Sequence, residues 1–259
     1  MRAVRLGAVD YLNARPLVYG LDEGEIRFDL PSACATRLDA GEIDLGLIPS
    51  ISYFDRSDTH VVPGVGIISD GPVASVAILS RRPLADVRSL ALDTSSRTSV
   101  ALTRVLCANV FRIQPQFVPH GPDLQAMLSA CDAALLIGDP ALFVDHGALG
   151  VEKTDLGQAW TRWTGHPFVW AFWAGRASAA DASVTARLQD ARDAGIAASD
   201  AIANRYCEGD AGRQAIARRY LRDNIKYHMT DDAISGLKRF YREAATLGLV
   251  GGPDTVRFF

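Results

Sequence analysis

Residues 90–106 read LALDTSSRTSVALTRVL, an apolar strand that enters a helix through a turn crowded with hydroxyl groups. The apolar periodicity of the helix begins at Val100. Free backbone N–H groups at a helix start, with hydroxyl donors beside them, form an anion site. An N-cap needs only one such residue, whereas this turn carries five hydroxyls around the single Arg97. The turn therefore predicts a bound carboxylate or phosphate, with simple capping as the alternative.

Short apolar strands alternate with helical segments along the whole chain, which is typical of an α/β protein. The last third is predicted to be helical, because residues 184–202 and 234–247 repeat apolar side chains at helical spacing. Two apolar segments, 73–80 and 168–173, lie on either side of the hydroxyl-rich turn in sequence, and neither is flanked by a flexible linker. We therefore expect the chain to cross to a second lobe at the first segment and to return at the second. The predicted strands are 4–9, 45–48, 73–80, 90–92, 133–137 and 168–173.

Composition narrows the classes of function. The 259 residues carry a net charge of -3 with scattered charges, which argues against a nucleic-acid partner. No apolar run approaches the ~20 residues that span a bilayer, and the first strand follows no apolar signal segment, so we expect a cytoplasmic protein without a membrane partner. The four cysteines lack CxxC spacing and the histidines lack HExxH spacing, so we expect buried free thiols, no metal and no cofactor.

Polar residues follow or interrupt other strands. Tyr11 and Asn13 come just after the first strand, and Asn13 either caps the next helix or hydrogen-bonds a ligand. Ser50 follows the buried strand at 45–48 and is another possible cap. Ser75 lies in an apolar strand, where a serine is commonly just a small residue. Its position at the expected lobe crossing makes it a candidate site residue.

Residues 133–143 read AALLIGDPALF, an apolar strand that ends in Gly138 and Asp139. The favoured interpretation is that Asp139 caps the following helix, and the functional alternative is that it accepts a hydrogen bond from a ligand hydroxyl. The sequence has no nucleophile elbow, P-loop, dinucleotide fingerprint or paired-carboxylate motif. The candidate residues are rich in neutral donors and poor in bases. They predict a cleft for a small anion and leave the reaction open.

At these residues the sequence resembles the chorismate dehydratases of menaquinone biosynthesis by the futalosine route. The resemblance runs in order from residue 11 to residue 174, and the helical last third contributes little to it. The matching strings are YLNARPL, GEIDLGLIP, SDGPVAS, TSSRTSV, PDL, DAALLIGDPAL and DLGQAWTRWTGHPFVWAFWA. Together they are highly specific, although YLN or IGD alone would be weak.

The resemblance implies a two-lobed fold like the type II periplasmic binding proteins, with the ligand cleft between the lobes. We expect residues 1–76 and 172–259 to form lobe one and residues 77–171 to form lobe two. The predicted catalytic residues are Asn13, Ser75 and Asp139. The predicted substrate contacts are Tyr11, Ser50, Ser95, Ser96, Arg97, Thr98, Ser99 and Gly138.

The implied reaction converts chorismate to 3-[(1-carboxyvinyl)oxy]benzoate and water. Because the product is aromatic, catalysis can rest on holding the ring and stabilising the departing oxygen. Our hypothesis is that the enolpyruvyl carboxylate of the substrate removes the C3 proton, with Asp139 as the rival base. Two other functions share the fold: a sister enzyme that forms dihydroxynaphthoate, and a non-catalytic solute-binding protein for small anions. The oligomeric state stays open.

Overall fold

The chain folds into two five-stranded mixed sheets covered by helices, as a computed structural model of residues 4–251 and 255–259 describes it. The strands are β1 (Leu6–Val9), β2 (Ile26–Asp29), β3 (Leu45–Pro49), β4 (Thr59–Ser69), β5 (Val76–Ser80), β6 (Ser89–Asp93), β7 (Gln116–His120), β8 (Ala133–Ile137), β9 (Glu152–Asp155) and β10 (Phe168–Arg176). The helices are α1 (Pro31–Asp39), α2 (Arg97–Leu106), α3 (Leu124–Ala130), α4 (Gly138–Phe143), α5 (Leu156–Thr164), α6 (Ala182–Ala197), α7 (Ser199–Tyr206), α8 (Ala211–Arg219) and α9 (Asp231–Thr246).

Shorter helical turns connect these elements. The 3-10 turns are Leu12–Val18, Glu23–Glu25, Ser50–Asp55 and Leu84–Asp86. Two π-helical turns, Cys107–Phe111 and Tyr220–Asn224, continue α2 and α8. A π-helical turn inserts one extra residue into a helix end and often occurs at a functional site.

The two sheets share one design. The strand order is β2-β1-β3-β10-β4 in the first sheet and β7-β6-β8-β5-β9 in the second. In each sheet three neighbouring strands run parallel, and one antiparallel strand, β10 or β5, lies between the third of them and an edge strand. The central strands β3 and β8 are buried along their whole length, which explains their continuous apolar sequence. The α/β class and the two lobes predicted from the sequence are therefore present.

The chain crosses between the lobes twice. The first crossing occupies residues 70–75, between the end of β4 and the start of β5. On the return, residues 168–171 already pair with β4, so the crossing precedes Phe168 instead of following residue 171 as predicted. The predicted first lobe also includes residues 1–3 and 252–254, which lie outside the described residues.

The C-terminal helices pack on the first lobe. Helix α9 buries one face, including Leu237, Phe240 and Tyr241. The single helix predicted from the periodicity of residues 184–202 is wrong, because α6 ends at Ala197 and α7 begins at Ser199. The Ser199 hydroxyl there donates to the α6 carbonyl oxygens of Gly195 and Ile196, a local bond that competes with continued helix.

The apolar interior is continuous across the lobes, with a smaller cluster beneath the second sheet. All four cysteines are buried free thiols, as the sequence predicted. Among the described residues, no helix is long and apolar enough to cross a bilayer.

Candidate active site

A small cavity lies between the two lobes, at the point where strand ends and helix starts meet. It encloses ≈ 50 Å³, well below the roughly 300–1,000 Å³ of typical ligand sites. Within the described ranges, its lining includes no charged side chain. The lining residues are Val9, Tyr11, Asn13, Pro31, Pro49, Ile67, Val73, Ser75, Val76, Ser96, Ser99, Ile137, Gly138, Trp170 and Ala171.

The predicted site residues divide into two groups. Six of the eleven line this cavity: Tyr11, Asn13, Ser75, Ser96, Ser99 and Gly138. The other five lie behind the wall or at its margin: Ser50, Ser95, Arg97, Thr98 and Asp139. The hydroxyl-rich turn of the second lobe and the first strand end of the first lobe therefore meet across one space.

Asn13 lies in the 3-10 turn Leu12–Val18, which follows β1 in the first lobe. Tyr11 occupies the N-cap position of this turn, and no side chain caps it. The capping role considered for Asn13 is therefore absent. The Asn13 carbonyl oxygen Oδ1 is buried and has no hydrogen-bond partner among the residues that the structure describes. Because a buried acceptor without a partner is costly, this atom is suited to accept a hydrogen bond from a ligand.

Ser75 is held at the first crossing by an unusual backbone. Ala74 before it has φ 64°, in the left-handed region that non-glycine residues rarely adopt. Asp155 accepts from the Ala74 N–H at 2.7 Å, and the Lys153 ammonium donates to the Ala74 carbonyl oxygen at 2.8 Å. Burial lowers the pKa of Lys153. Two side chains near the end of β9 therefore hold the peptide that places Ser75.

The Ser75 side chain is almost fully buried, and its hydroxyl oxygen lies 2.7 Å from the Tyr220 hydroxyl. The Ser75 carbonyl oxygen accepts from the Gly138 N–H at 2.8 Å. Gly138 has φ 66°, and a Cβ atom there would lie 2.7 Å from the Tyr11 ring. Only glycine fits this position, because both the backbone conformation and the space exclude a side chain.

The hydroxyl-rich turn satisfies much of its own hydrogen bonding. Ser96 is the N-cap of α2 and accepts from the Ser99 N–H at 3.3 Å. The Ser96 and Ser99 hydroxyl oxygens are 2.9 Å apart, and both side chains face the cavity. The Ser95 hydroxyl donates to the buried carboxylate of Asp93 at 2.6 Å. Ser96 therefore serves as the cap, and Ser96 with Ser99 are the members left to meet a ligand.

Arg97 and Thr98 of this turn contact the first lobe. Thr98 accepts from the Ile51 N–H at 3.2 Å, and its hydroxyl oxygen is 3.4 Å from that of Ser50. Ser50 donates to the Val169 carbonyl oxygen at 2.8 Å and does not cap. Arg97 pairs with Asp55 at 2.6 Å. The structure places Ser50, Arg97 and Thr98 in contacts between the lobes and outside the cavity lining.

Asp139 also joins the lobes. No side chain caps α4, so the favoured capping interpretation of Asp139 is wrong. One carboxylate oxygen accepts from the Leu12 N–H at 3.2 Å, and the other accepts from the Tyr206 hydroxyl. Burial raises the pKa of Asp139, and the hydrogen bond from Tyr206 opposes that shift. Both oxygens of the carboxylate are thus engaged by donors of the first lobe.

Sequence reasoning missed the residues behind the cavity wall. Tyr220, Tyr206 and Lys153 lie outside all of the matching strings and reach the site only through the fold. Trp170 lines the cavity and donates from its indole nitrogen to the Ser69 hydroxyl at 3.0 Å. Its apolar strand was predicted, but nothing in the local pattern marked this side chain as facing a ligand.

The cavity supplies neutral donors and acceptors and an aromatic wall. Across residues 4–251 and 255–259, no cluster of three or more His, Cys, Asp or Glu is arranged to hold a metal ion. Burial raises the pKa of Tyr11 to about 12, so its hydroxyl keeps its proton at neutral pH. The arrangement suits a small aromatic or near-aromatic anion that is bound by hydrogen bonds.

Comparison with solved structures shows the fold. The chain superimposes on a protein from Archaeoglobus fulgidus with a TM-score of 0.75 at 18% identity, covering 95% of this chain and 98% of that one. An ABC transporter protein from Parabacteroides distasonis gives a TM-score of 0.66 at 16% identity, covering 97% and 96%. The periplasmic aliphatic sulphonate binding protein SsuA from Escherichia coli gives 0.58 at 18% identity, covering 96% and 89%. The fold is therefore that of the periplasmic binding proteins, as predicted.

Comparison of sequences identifies the family of the chain. The chain is 30% identical over 272 aligned residues to the chorismate dehydratase of Thermus thermophilus, and the match covers 98% of each protein. A family model described as menaquinone biosynthesis matches residues 4–246. These two matches confirm the resemblance drawn from the strand-end motifs, and this chain belongs to the menaquinone-biosynthesis family.

Proposed function

We propose that this protein is a chorismate dehydratase, which converts chorismate to 3-[(1-carboxyvinyl)oxy]benzoate and water in menaquinone biosynthesis by the futalosine route. One observation carries the proposal beyond the relative's name: an uncharged cavity brings Asn13, Ser75 and the Ser96–Ser99 pair together between the lobes. Chorismate, a ring with two carboxylates and one hydroxyl, matches such a set of neutral donors and acceptors. A cytoplasmic location is part of this proposal.

The reaction removes the C3 proton and the C4 hydroxyl of the substrate. The electron pair of the C3–H bond forms the new ring double bond, and the departing hydroxyl leaves with a proton as water. Ser75 donates a hydrogen bond to a carboxylate or to the departing oxygen, and the free Oδ1 of Asn13 accepts from the substrate hydroxyl. Ser96 and Ser99 hold a carboxylate at the start of α2.

The base in this proposal is the enolpyruvyl carboxylate of the substrate. The described cavity lining contains no carboxylate, imidazole or amine, so no side chain there is suited to take the C3 proton. Asp139 lies behind the wall with both oxygens engaged by Leu12 and Tyr206. Binding then supplies the catalysis by fixing the substrate carboxylate over its own C3–H bond.

The test is incubation of the purified protein with chorismate, following loss of the diene absorbance and formation of the aromatic product by mass spectrometry. Ser75→Ala is expected to lower kcat by a factor of about 10² or more, the usual cost of losing one transition-state donor. Ser80→Ala is the matched control, since Ser80 is an equally buried serine at the other end of β5 and lies outside the cavity.

Other outcomes separate the rival functions. Turnover of cyclised futalosine in place of chorismate would support the naphthoate-forming sister enzyme. Binding of chorismate without turnover would support a solute-binding protein. Either result would overturn the dehydratase proposal.

A further inference from the structure

Tyr220 is a buried tyrosine whose hydroxyl meets Ser75, the predicted catalytic residue at the first crossing. It is 1% exposed and stands outside the cavity lining, directly behind Ser75. Its hydroxyl oxygen lies 2.7 Å from the Ser75 hydroxyl oxygen. Ser75 and Tyr220 are 145 residues apart in sequence, so only the fold provides this contact.

The positions of the two hydroxyls favour one direction for this hydrogen bond. Either hydroxyl could donate, but Ser75 lines the cavity whereas Tyr220 stands behind it. Burial raises the pKa of Tyr220, so the phenol keeps its proton. Donation of that proton to the Ser75 hydroxyl oxygen satisfies the buried phenol and leaves the Ser75 proton directed toward the cavity.

We infer that Tyr220 is a positioning residue for the dehydration, an inference that rests on the proposed function. Its hydroxyl donates to Ser75, which orients the Ser75 hydroxyl as a donor to the substrate. Without Tyr220, Ser75 is free to rotate, and its proton is no longer aimed at the substrate.

The segment that carries Tyr220 is fixed to the crossing. Tyr220 opens the π-helical turn Tyr220–Asn224, and the Asn224 amide at its end donates to the Pro72 carbonyl oxygen at 2.8 Å. Lys226 then exchanges two backbone hydrogen bonds with Ile68 at the end of β4. These contacts anchor the turn that carries Tyr220 beside the first crossing.

The chain offers a matched control for a test. Tyr227 is also a buried tyrosine, 3% exposed and close to Tyr220, but its hydroxyl has no hydrogen-bond partner within residues 4–251 and 255–259. Tyr220→Phe and Tyr227→Phe each remove one buried phenol oxygen from the same region. A purely structural role predicts similar effects of both changes on activity, whereas positioning of Ser75 predicts an effect of Tyr220→Phe alone.

The experiment measures kcat, KM and thermal unfolding for the full-length wild type and its variants with chorismate. We expect Tyr220→Phe to lower kcat by at least about tenfold with little change in KM, and Tyr227→Phe to stay within about twofold of wild type. In a double-mutant cycle, Tyr220→Phe is expected to cost nothing further once Ser75 is alanine. Wild-type kcat in Tyr220→Phe, or a loss that adds fully to that of Ser75→Ala, would overturn the inference.

A second substitution covers the case in which Tyr220→Phe fails to fold. Site-specific 3-fluorotyrosine keeps the ring and the hydroxyl and makes the phenol a stronger donor. A changed kcat with fluorotyrosine at position 220, and an unchanged one at position 227, supports positioning, and no change at 220 overturns it. An inactive wild type would overturn the proposed function and the inference together, whereas an active wild type with a fully active Tyr220→Phe variant overturns the inference alone.

Discussion

The carboxylate of Asp139 illustrates how a single residue serves a role that its local sequence does not suggest. Strand, glycine, aspartate and proline in succession are typical of a helix cap. The positive φ of Gly138 instead turns the Asp139 side chain toward the first lobe, where Leu12 and Tyr206 donate to it. The partners lie 127 and 67 residues away, so a local pattern has no means of showing them.

Asp139→Asn tests whether Asp139 acts as the base. We expect kcat to fall by no more than about tenfold, because the amide keeps the shape and still bonds Leu12 and Tyr206, while the substrate carboxylate takes the proton. Steady-state turnover of chorismate is the measurement. A loss of about 10² or more, with unchanged thermal unfolding, would assign the proton transfer to Asp139 instead.

Gly138 is a residue whose position the sequence predicted but whose structural role it did not. The sequence marked it as a substrate contact, and it does line the cavity. Its further importance is the absence of a side chain, since the Tyr11 ring occupies the space where a Cβ would stand. The motif could locate this residue, but only the packing of the two lobes explains why it must be glycine.

At the scale of elements, β9 is an edge strand that controls the crossing. Asp155 accepts from the backbone N–H groups of Val73 and Ala74, and from that of Gln158 as the N-cap of α5. Lys153 of the same strand donates to the Ala74 and Ala141 carbonyl oxygens. The edge strand therefore stabilises the left-handed Ala74 and the residue that follows it.

Asp155→Ala is expected to lower the free energy of unfolding by about 3 kcal/mol, because it removes one cap and leaves two further backbone donors without an acceptor. Asp181→Ala is the matched control, since Asp181 is also an N-cap but accepts only from the Val184 N–H. It is expected to cost about 1 kcal/mol. Urea denaturation measures both changes, and equal losses would contradict the role assigned to the Asp155 contacts at the crossing.

The elements that the sequence predicted well are those whose burial is continuous. Residues 133–137 form β8 with the predicted bounds, because both faces of that strand are buried and turn residues delimit it. The division between α6 and α7 escaped prediction because residues 184–202 keep one apolar stripe across it. All four edge strands, β2, β4, β7 and β9, also escaped prediction. Strands β2, β7 and β9 are partly exposed and carry little apolar periodicity. Strand β4 is mostly buried, but Pro63, Gly64 and Gly66 interrupt its apolar pattern.

At the scale of the whole molecule, the lobes are closed on each other. Hydrogen bonds join them through Ser32 and Ser95, through Ile51 and Thr98, and through Asp139. The cavity that remains, ≈ 50 Å³, is too small for a ring with two carboxylate groups. Substrate entry therefore requires the lobes to separate at the two crossings.

Small-angle X-ray scattering can follow this separation. We expect the free protein in solution to include an open form, so that saturating product lowers the radius of gyration by favouring the closed arrangement. Tyr206→Phe, which removes the hydroxyl that bonds Asp139, is expected to raise the radius of gyration of the free protein. An unchanged radius of gyration with product, in both wild type and variant, would contradict closure.

The sequence could predict those site residues that follow strand ends, because this fold brings several strand ends together. Motifs at the ends of β1, β6 and β8 brought Asn13, Ser96 and Gly138 to one cavity because the lobes place those strand ends face to face. Residues such as Tyr220 belong to the C-terminal third, where the sequence analysis found no matching string. Their partners are set by long-range packing, which periodicity does not encode.

The closed arrangement also governs how fast any ligand is captured. A ligand that meets the closed form cannot enter the cleft. The association rate is therefore the encounter rate multiplied by the fraction of molecules in the open form. The same bonds that slow capture prolong residence, since a trapped ligand leaves only when they break. Inhibitors of this protein are therefore best ranked by how long they stay bound, because affinity measured over short incubations would undervalue the slowest and tightest of them.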